Sequence, residues 1–179
     1  MLSIISAKIK FTSILITLTL FVAGTIVYVF SPKTLASNTK AEITSFIPSL
    51  DVYKNPKCGC CNKWINYINR HGFDAKAHDS KHLANIKQAS GIAINLRSCH
   101  TAISSEGYVF EGHIPAKYLH QFLDNTPSGS IGLAVPTMPV GSPGMEYGDK
   151  FRPYKVLLLN SDGSSQVYAE VKALAGATL

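Results

Sequence analysis

Three cysteines fall within four residues, Cys58-Gly59-Cys60-Cys61, and a fourth, Cys99, stands directly before His100. Cys58 and Cys61 form a C-x-x-C pair, with Cys60 as an extra thiol inside it. A thiolate is both the nucleophile of disulfide exchange and a soft metal ligand. Soft sulfur donors select Cu(I), Zn(II) or iron–sulfur clusters. Zinc is satisfied by a tetrahedral four-ligand set. Cu(I) prefers thiolate and thioether, and closely spaced thiolates can bridge several such ions. Three thiols this close cannot all pair with one another, so one needs an outside partner, and Cys99 is the remaining cysteine. Three readings stay open on spacing alone: a metal site, a dithiol oxidoreductase without metal, and a pair of structural disulfides whose connectivity the sequence does not choose.

Other candidate donors lie further along the chain. His100 follows Cys99, and neighbours in an extended segment point to opposite faces. Both therefore face one cluster only if the backbone bends there. His113 ends a strand candidate ahead of Pro115. Met138 and Met145 lie in a Pro/Gly-rich stretch, where a thioether could meet Cu(I) and the loop could cover a site. Ordinary packing is the competing role for both. His71, His78, His82 and His120 are expected on helix ends or exposed faces, Trp64 and Tyr67 against a sheet, and Arg97 as a loop cation or a charge beside the thiolates.

The elements that must position these groups follow from patterning. Leu50–Tyr53 alternates as a strand and ends at Asn55-Pro56. The cysteine motif then opens a helix through Arg70, with Trp64, Ile65, Tyr67 and Ile68 at helical spacing and Gly72 as the stop. A helix start places unpaired N–H groups and a positive dipole end beside the first sulfur, which favours its thiolate. Phe73–Ala77 is a second strand. Ser80 is the expected N-cap of a helix over 81–89, ended by Gly91. Thr101–Ser104 and Tyr108–Glu111 flank a Ser-Glu-Gly turn, and Pro115 opens a helix over 116–123. The order β-α-β-α-β-β-α, with cysteines at the first helix mouth, predicts an α/β fold: a thioredoxin-like mixed sheet flanked by helices. Thr126–Asp149 shows no periodicity and is expected as a long Gly/Pro/Met-rich loop, which in a compact domain is usually functional or disordered. Lys155–Leu159 and Gln166–Glu170 predict a C-terminal hairpin around Asp162-Gly163.

Residues 11–30 carry no charge and follow Lys8 and Lys10. A run of about 20 apolar residues can span a bilayer as a helix. The basic flank stays cytoplasmic, so the remainder is expected to be exported. Residues 1–36 are thus a signal peptide, with Thr34-Leu35-Ala36 as a small-x-small cleavage site, or an uncleaved membrane anchor. Residues 37–48 read as a linker, and 49–175 as the folded metal-binding domain. Export matters chemically, because outside the cytoplasm paired thiols tend to oxidise.

Composition closes off other classes. The chain of 179 residues is 46% hydrophobic and 16% charged, which excludes a disordered chain. The formal charge is +6, but beyond residue 36 it falls to +3, with 14 basic and 11 acidic residues. Such a mild, scattered excess excludes a nucleic-acid surface, so no nucleic-acid partner is expected.

Four blocks resemble, in order, the CopG-type bacterial copper-resistance family, long known only as a domain of unknown function. They are Tyr53-Lys54-Asn55-Pro56-Lys57-Cys58-Gly59-Cys60-Cys61-Asn62-Lys63-Trp64, Leu96-Arg97-Ser98-Cys99-His100-Thr101-Ala102, Glu111-Gly112-His113-Ile114-Pro115-Ala116, and Val135 to Glu146. The resemblance spans about residues 50–170. It implies a thioredoxin-like fold in the periplasm, soluble or tethered to the inner membrane. It also implies Cu(I) binding through a cysteine cluster, as a thiolate-bridged multinuclear centre, with a copper-linked redox role. Zinc is the alternative metal. The metal candidates are Cys58, Cys60, Cys61 and Cys99, joined by His100, His113 and Met145. Copper ions and copper-handling envelope proteins are the expected partners, and a metal-free thiol–disulfide oxidoreductase of the envelope is the rival function.

Overall fold

A computed structural model of the protein describes residues 47–174. Its elements run β1 (Ser49–Lys54), α1 (Gly59–Arg70), β2 (Asp74–Asp79), α2 (Leu83–Ala89), a 3₁₀ turn (Ile94–Leu96), β3 (His100–Ser104), β4 (Val109–Glu111), α3 (Ala116–Asp124), β5 (Ser130–Ala134), β6 (Tyr154–Asn160) and β7 (Ser165–Val171). The seven strands form one sheet in the order β2-β1-β3-β4-β5-β6-β7. β1 and β2 are parallel, which requires the α1 crossover between them. β3 runs antiparallel to β1, and β4 antiparallel to β3. The fold is the expected α/β mixed sheet, and its first four strands are compatible with the thioredoxin-like arrangement.

Packing follows the patterning. β1 buries Leu50 and Val52 at alternate positions. α1 lays Trp64, Ile65 and Ile68 onto the sheet, where they join Phe110, Leu119, Phe122 and Leu133 in the main core. Trp64 is fully buried and its indole N–H donates to the Ile114 carbonyl at 2.9 Å. A smaller core of Ile92, Leu96, Val109, Ala134 and Leu159 completes the packing. The C-terminal hairpin is present as β6 and β7, turning through Asp162-Gly163.

Three expectations need correction. The stretch 126–149 is not one continuous loop, because β5 lies within it and pairs with both β4 and β6. The Ser-Ile-Gly-Leu-Ala sequence hides this strand: Gly132 breaks the alternation, yet glycine is required there, since a Cβ would collide with the Val109 carbonyl. Ser80 is not the N-cap of α2. Its hydroxyl accepts from the His82 N–H at 3.0 Å, and the helix starts two residues later than expected, at Leu83, with His82 in the N-cap position. Pro115 caps α3 from outside, with extended backbone, and is not its first helical residue.

Among the described residues no helix is long and apolar enough to cross a membrane. The apolar segment 11–30 and its flanks lie outside the described residues.

Candidate metal centre

Cys58 ends the loop from β1 and occupies the N-cap position of α1, with no side chain capping the first turn. Cys60 and Cys61 lie in that first turn. Cys58 and Cys61 are joined as a disulfide with their Cα atoms 5.3 Å apart. Cys60 and Cys99 are free thiols, both half-buried. Cys60 Sγ is 3.5 Å from Cys58 Sγ, and Cys99 Sγ is 3.4 Å from Cys61 Sγ. The four sulfur atoms all lie within 4.8 Å of one another. The chain return before β3 therefore brings Cys99 to the helix mouth.

Cys99 sits at a bend before β3 and also meets two imidazoles. His100 Nδ1 is 3.3 Å from its sulfur, and His113 Nε2 is 2.9 Å away. Cys99, His100 and His113 form a second group whose donor atoms lie within 4.8 Å of one another. Both histidines are fully buried. His100 packs on Trp64 with ring centroids 4.4 Å apart and meets His113 edge-on at 5.0 Å. Burial, then the neighbouring His113 and Lys87 charges, hold His100 well below its ordinary pKa. Burial also lowers His113, against the opposing pull of the Pro143 carbonyl and Glu146. Both rings are thus favoured as neutral imidazoles, the form that binds metal. His113 Nδ1 lies 2.7 Å from the Pro143 carbonyl, so its N–H donates there and the Nε2 lone pair faces Cys99. His100 Nε2 has no hydrogen-bond partner among the described residues; the ring is held by its packing on Trp64 and by the contact of Nδ1 with Cys99 Sγ. The Cys99 thiol is pushed up to about 12, first by burial, then by the charge and hydrogen bonding of Cys60.

The Pro/Gly-rich loop covers this cluster through its backbone. Gly144 lies so close to α1 that a Cβ would come within 2.8 Å of the Cys60 carbonyl oxygen and 2.9 Å of the Trp64 nitrogen. Met145 follows it, half-buried, with its N–H donating to the Ser142 carbonyl at 2.8 Å. Met138 is 46% exposed. His71, His78 and His82 are exposed, as expected, and His120 is half-buried against Phe73. Arg97 is held in the loop by donating from Nε to the Ile92 carbonyl at 3.1 Å. A feature that patterning missed is the buried polar group of Lys87, Thr101 and Glu111. Its one sequence signal is a glutamate closing the apolar strand Val-Phe-Glu.

The chain is 35% identical to a copper resistance protein CopG (form 2), covering 71% of this chain and 100% of that one, with a TM-score of 0.67. The chain belongs to the CopG-type copper resistance family. A second CopG structure (form 1) agrees at 36% identity and a TM-score of 0.65, covering 69% of this chain and 96% of that one. Residues 96–145 match the family described as "Protein of unknown function, DUF411". That segment holds Cys99, His100, His113 and Met145 and ends before the C-terminal hairpin. Among the curated proteins, none matches. For this CopG-type chain, the cysteine cluster and its relatives together support a copper-related function.

Proposed function

We propose that this chain is an exported protein of copper tolerance that takes up Cu(I) as cargo through Cys58, Cys60, Cys61 and Cys99. The convergence of four sulfur atoms within 4.8 Å carries the reading. Thiolates at that spacing suit soft monovalent ions and can bridge more than one of them. His113 adds a nitrogen with a fixed lone pair, and His100 and Met145 complete the proposed donor set. The Cys58–Cys61 disulfide must open before these two sulfurs can bind metal. Opening consumes two electrons and two protons, supplied by an envelope thiol reductant, and yields two thiols. In this reading residues 1–36 deliver the domain to the periplasm, cleaved or as a tether, where copper-handling envelope proteins exchange the metal.

The test is a Cu(I) titration of the reduced full-length chain under anaerobic conditions against a chromophoric chelator. More than one Cu(I) per chain is the expected result. Zero Cu(I), with zinc held tightly instead, would overturn the copper reading.

One observation favours a second reading, a metal-free thiol–disulfide oxidoreductase. The disulfide joins the two ends of a C-x-x-C at a helix N-terminus, where a thiolate leaving group is stabilised. This reading expects disulfide reduction of a protein such as insulin without added metal.

A further inference from the structure

β3 separates two environments. His100 points toward Trp64 and α1, while its neighbour Thr101 points to the opposite face, toward α2. There Lys87 and Glu111 form an ion pair at 2.5 Å, with Lys87 5% exposed and Glu111 fully buried. Lys87 Nζ also donates to Thr101 Oγ1 at 2.9 Å, and that hydroxyl donates to Glu111 Oε2 at 2.7 Å. Glu111 Oε1 takes one donor more, the backbone N–H of Ser98 at 2.5 Å. Removing two charges from water costs more than their attraction returns unless every remaining lone pair is satisfied. A packed apolar pair would commonly be as stable, so stability alone does not account for these residues.

Their placement does. Ser98 and Thr101 bracket Cys99 and His100. In straight extended backbone the side chains of Cys99 and His100 would diverge. Instead both lie against His113, and the strand begins only at His100. The chain bends at Cys99, and the hydrogen bond from Ser98 N–H to Glu111 holds the residue on the near side of that bend. Ser98 Oγ donates in turn to the Thr137 carbonyl, and Gly112 leaves room for it, since a Cβ there would lie 2.6 Å from Ser98 Oγ.

We infer that Glu111, held by Thr101 and charge-balanced by Lys87, is a positioning residue that sets the bend turning the Cys99 sulfur toward Cys61 and His113. The inference rests on the reading of the four cysteines as the metal site, but its geometry can be tested without metal.

In full-length chain carrying Cys58→Ser and Cys60→Ser, only Cys61 and Cys99 remain. Diamide takes two electrons and two protons from this pair to close one disulfide, and peptide mapping after maleimide trapping gives the rate. Adding Lys87→Met with Glu111→Leu removes the acceptor for Ser98 and should slow closure by about tenfold or more. Adding Lys87→Met with Glu111→Gln keeps an acceptor and should keep the parent rate, which a merely structural ion pair would not predict. Equal rates in all three proteins, with matched unfolding temperatures, overturn the inference. Should the leucine variant not fold, Glu111→Asp draws the acceptor back by one methylene and must still slow closure. A parent rate in that variant also overturns the inference. Failure of the wild-type chain to bind Cu(I) would sink the copper reading and leave this closure rate unaffected.

Discussion

His113 meets Cys99 through Nε2, 2.9 Å from the sulfur, while its Nδ1 is held 2.7 Å from the Pro143 carbonyl. The second contact fixes the first. With the proton on Nδ1 donated to the carbonyl, Nε2 is left with a free lone pair, which can accept the Cys99 S–H or be donated to a metal ion. His113→Ala removes both the nitrogen and the link to the covering loop. It should weaken Cu(I) binding about 10- to 100-fold, the usual scale for groups that orient or complete a metal site. Competition with a Cu(I) chelator measures this directly. Affinity equal to wild type would take the nitrogen out of the donor set and leave the sulfurs alone.

Cys99 gives the site a defined pH response. Its thiol is raised from 9.0 to about 12, so it is protonated at neutral pH in the metal-free protein. Binding Cu(I) must displace that proton, so affinity should fall by about tenfold per pH unit of acidification for each proton displaced. Calorimetric titration in buffers of different ionisation enthalpy counts the protons. Linkage without metal has the opposite sense. A folded pKa above the unfolded one contributes stability below about pH 9, lost as pH rises toward 12. Thermal melts of metal-free wild type should show this alkaline loss, and Cys99→Ser should reduce it, the remainder coming from Tyr67 and Tyr154, whose hydroxyl pKa values burial also raises. His100 and His113, both lowered from 6.5, act at the other end: their contribution is present above that value and fades as pH falls below it.

The covering loop is joined to the site at Gly144. That residue has φ +85°, and a Cβ would sit 2.8 Å from the Cys60 carbonyl oxygen and 2.9 Å from the Trp64 nitrogen. Neither neighbour is a flexible side-chain tip, so the loop itself must give way. Gly144→Ala should cost about 1–3 kcal/mol, combining an unfavourable left-handed backbone with lost packing. Urea unfolding measures the loss, and faster proteolysis within residues 135–145 would localise it. Unchanged stability would mean that the loop does not pack on α1 in solution.

How far the sequence carried this picture depended on the range of the signals. Trp64, Ile65 and Ile68 declare α1 by their spacing, and the cysteines at its start declare the chemistry. The alternation of Leu50 and Val52 gives β1 directly. Long-range pairing is another matter. β5 is invisible because Gly132 serves the close approach of Val109, not the strand's own pattern. The Lys87–Glu111 pair spans 24 residues, and nothing local in either α2 or β4 announces the partner. The bend at Cys99 was legible only as a condition: Cys99 and His100 could share a site if the backbone turned, and the residue that turns it lies on another strand.

Cys60 separates the two functional readings most cleanly. It is half-buried and free, with its sulfur 3.5 Å from Cys58, yet it takes no part in the Cys58–Cys61 bond. A C-x-x-C oxidoreductase needs only the outer two sulfurs: one attacks and the other resolves. Cys60→Ser should therefore leave such an enzyme with its disulfide and its reductase activity. A centre that bridges several Cu(I) ions needs every neighbouring thiolate. In the same variant it should lose at least one metal equivalent or bind the remainder more weakly. Elemental analysis of wild type and variant purified anaerobically from copper-fed cells, paired with an insulin reduction assay, reads both outcomes. Full copper content in Cys60→Ser would remove this residue from the cluster. Loss of reductase activity together with copper would tie the redox chemistry to the metal instead of the dithiol.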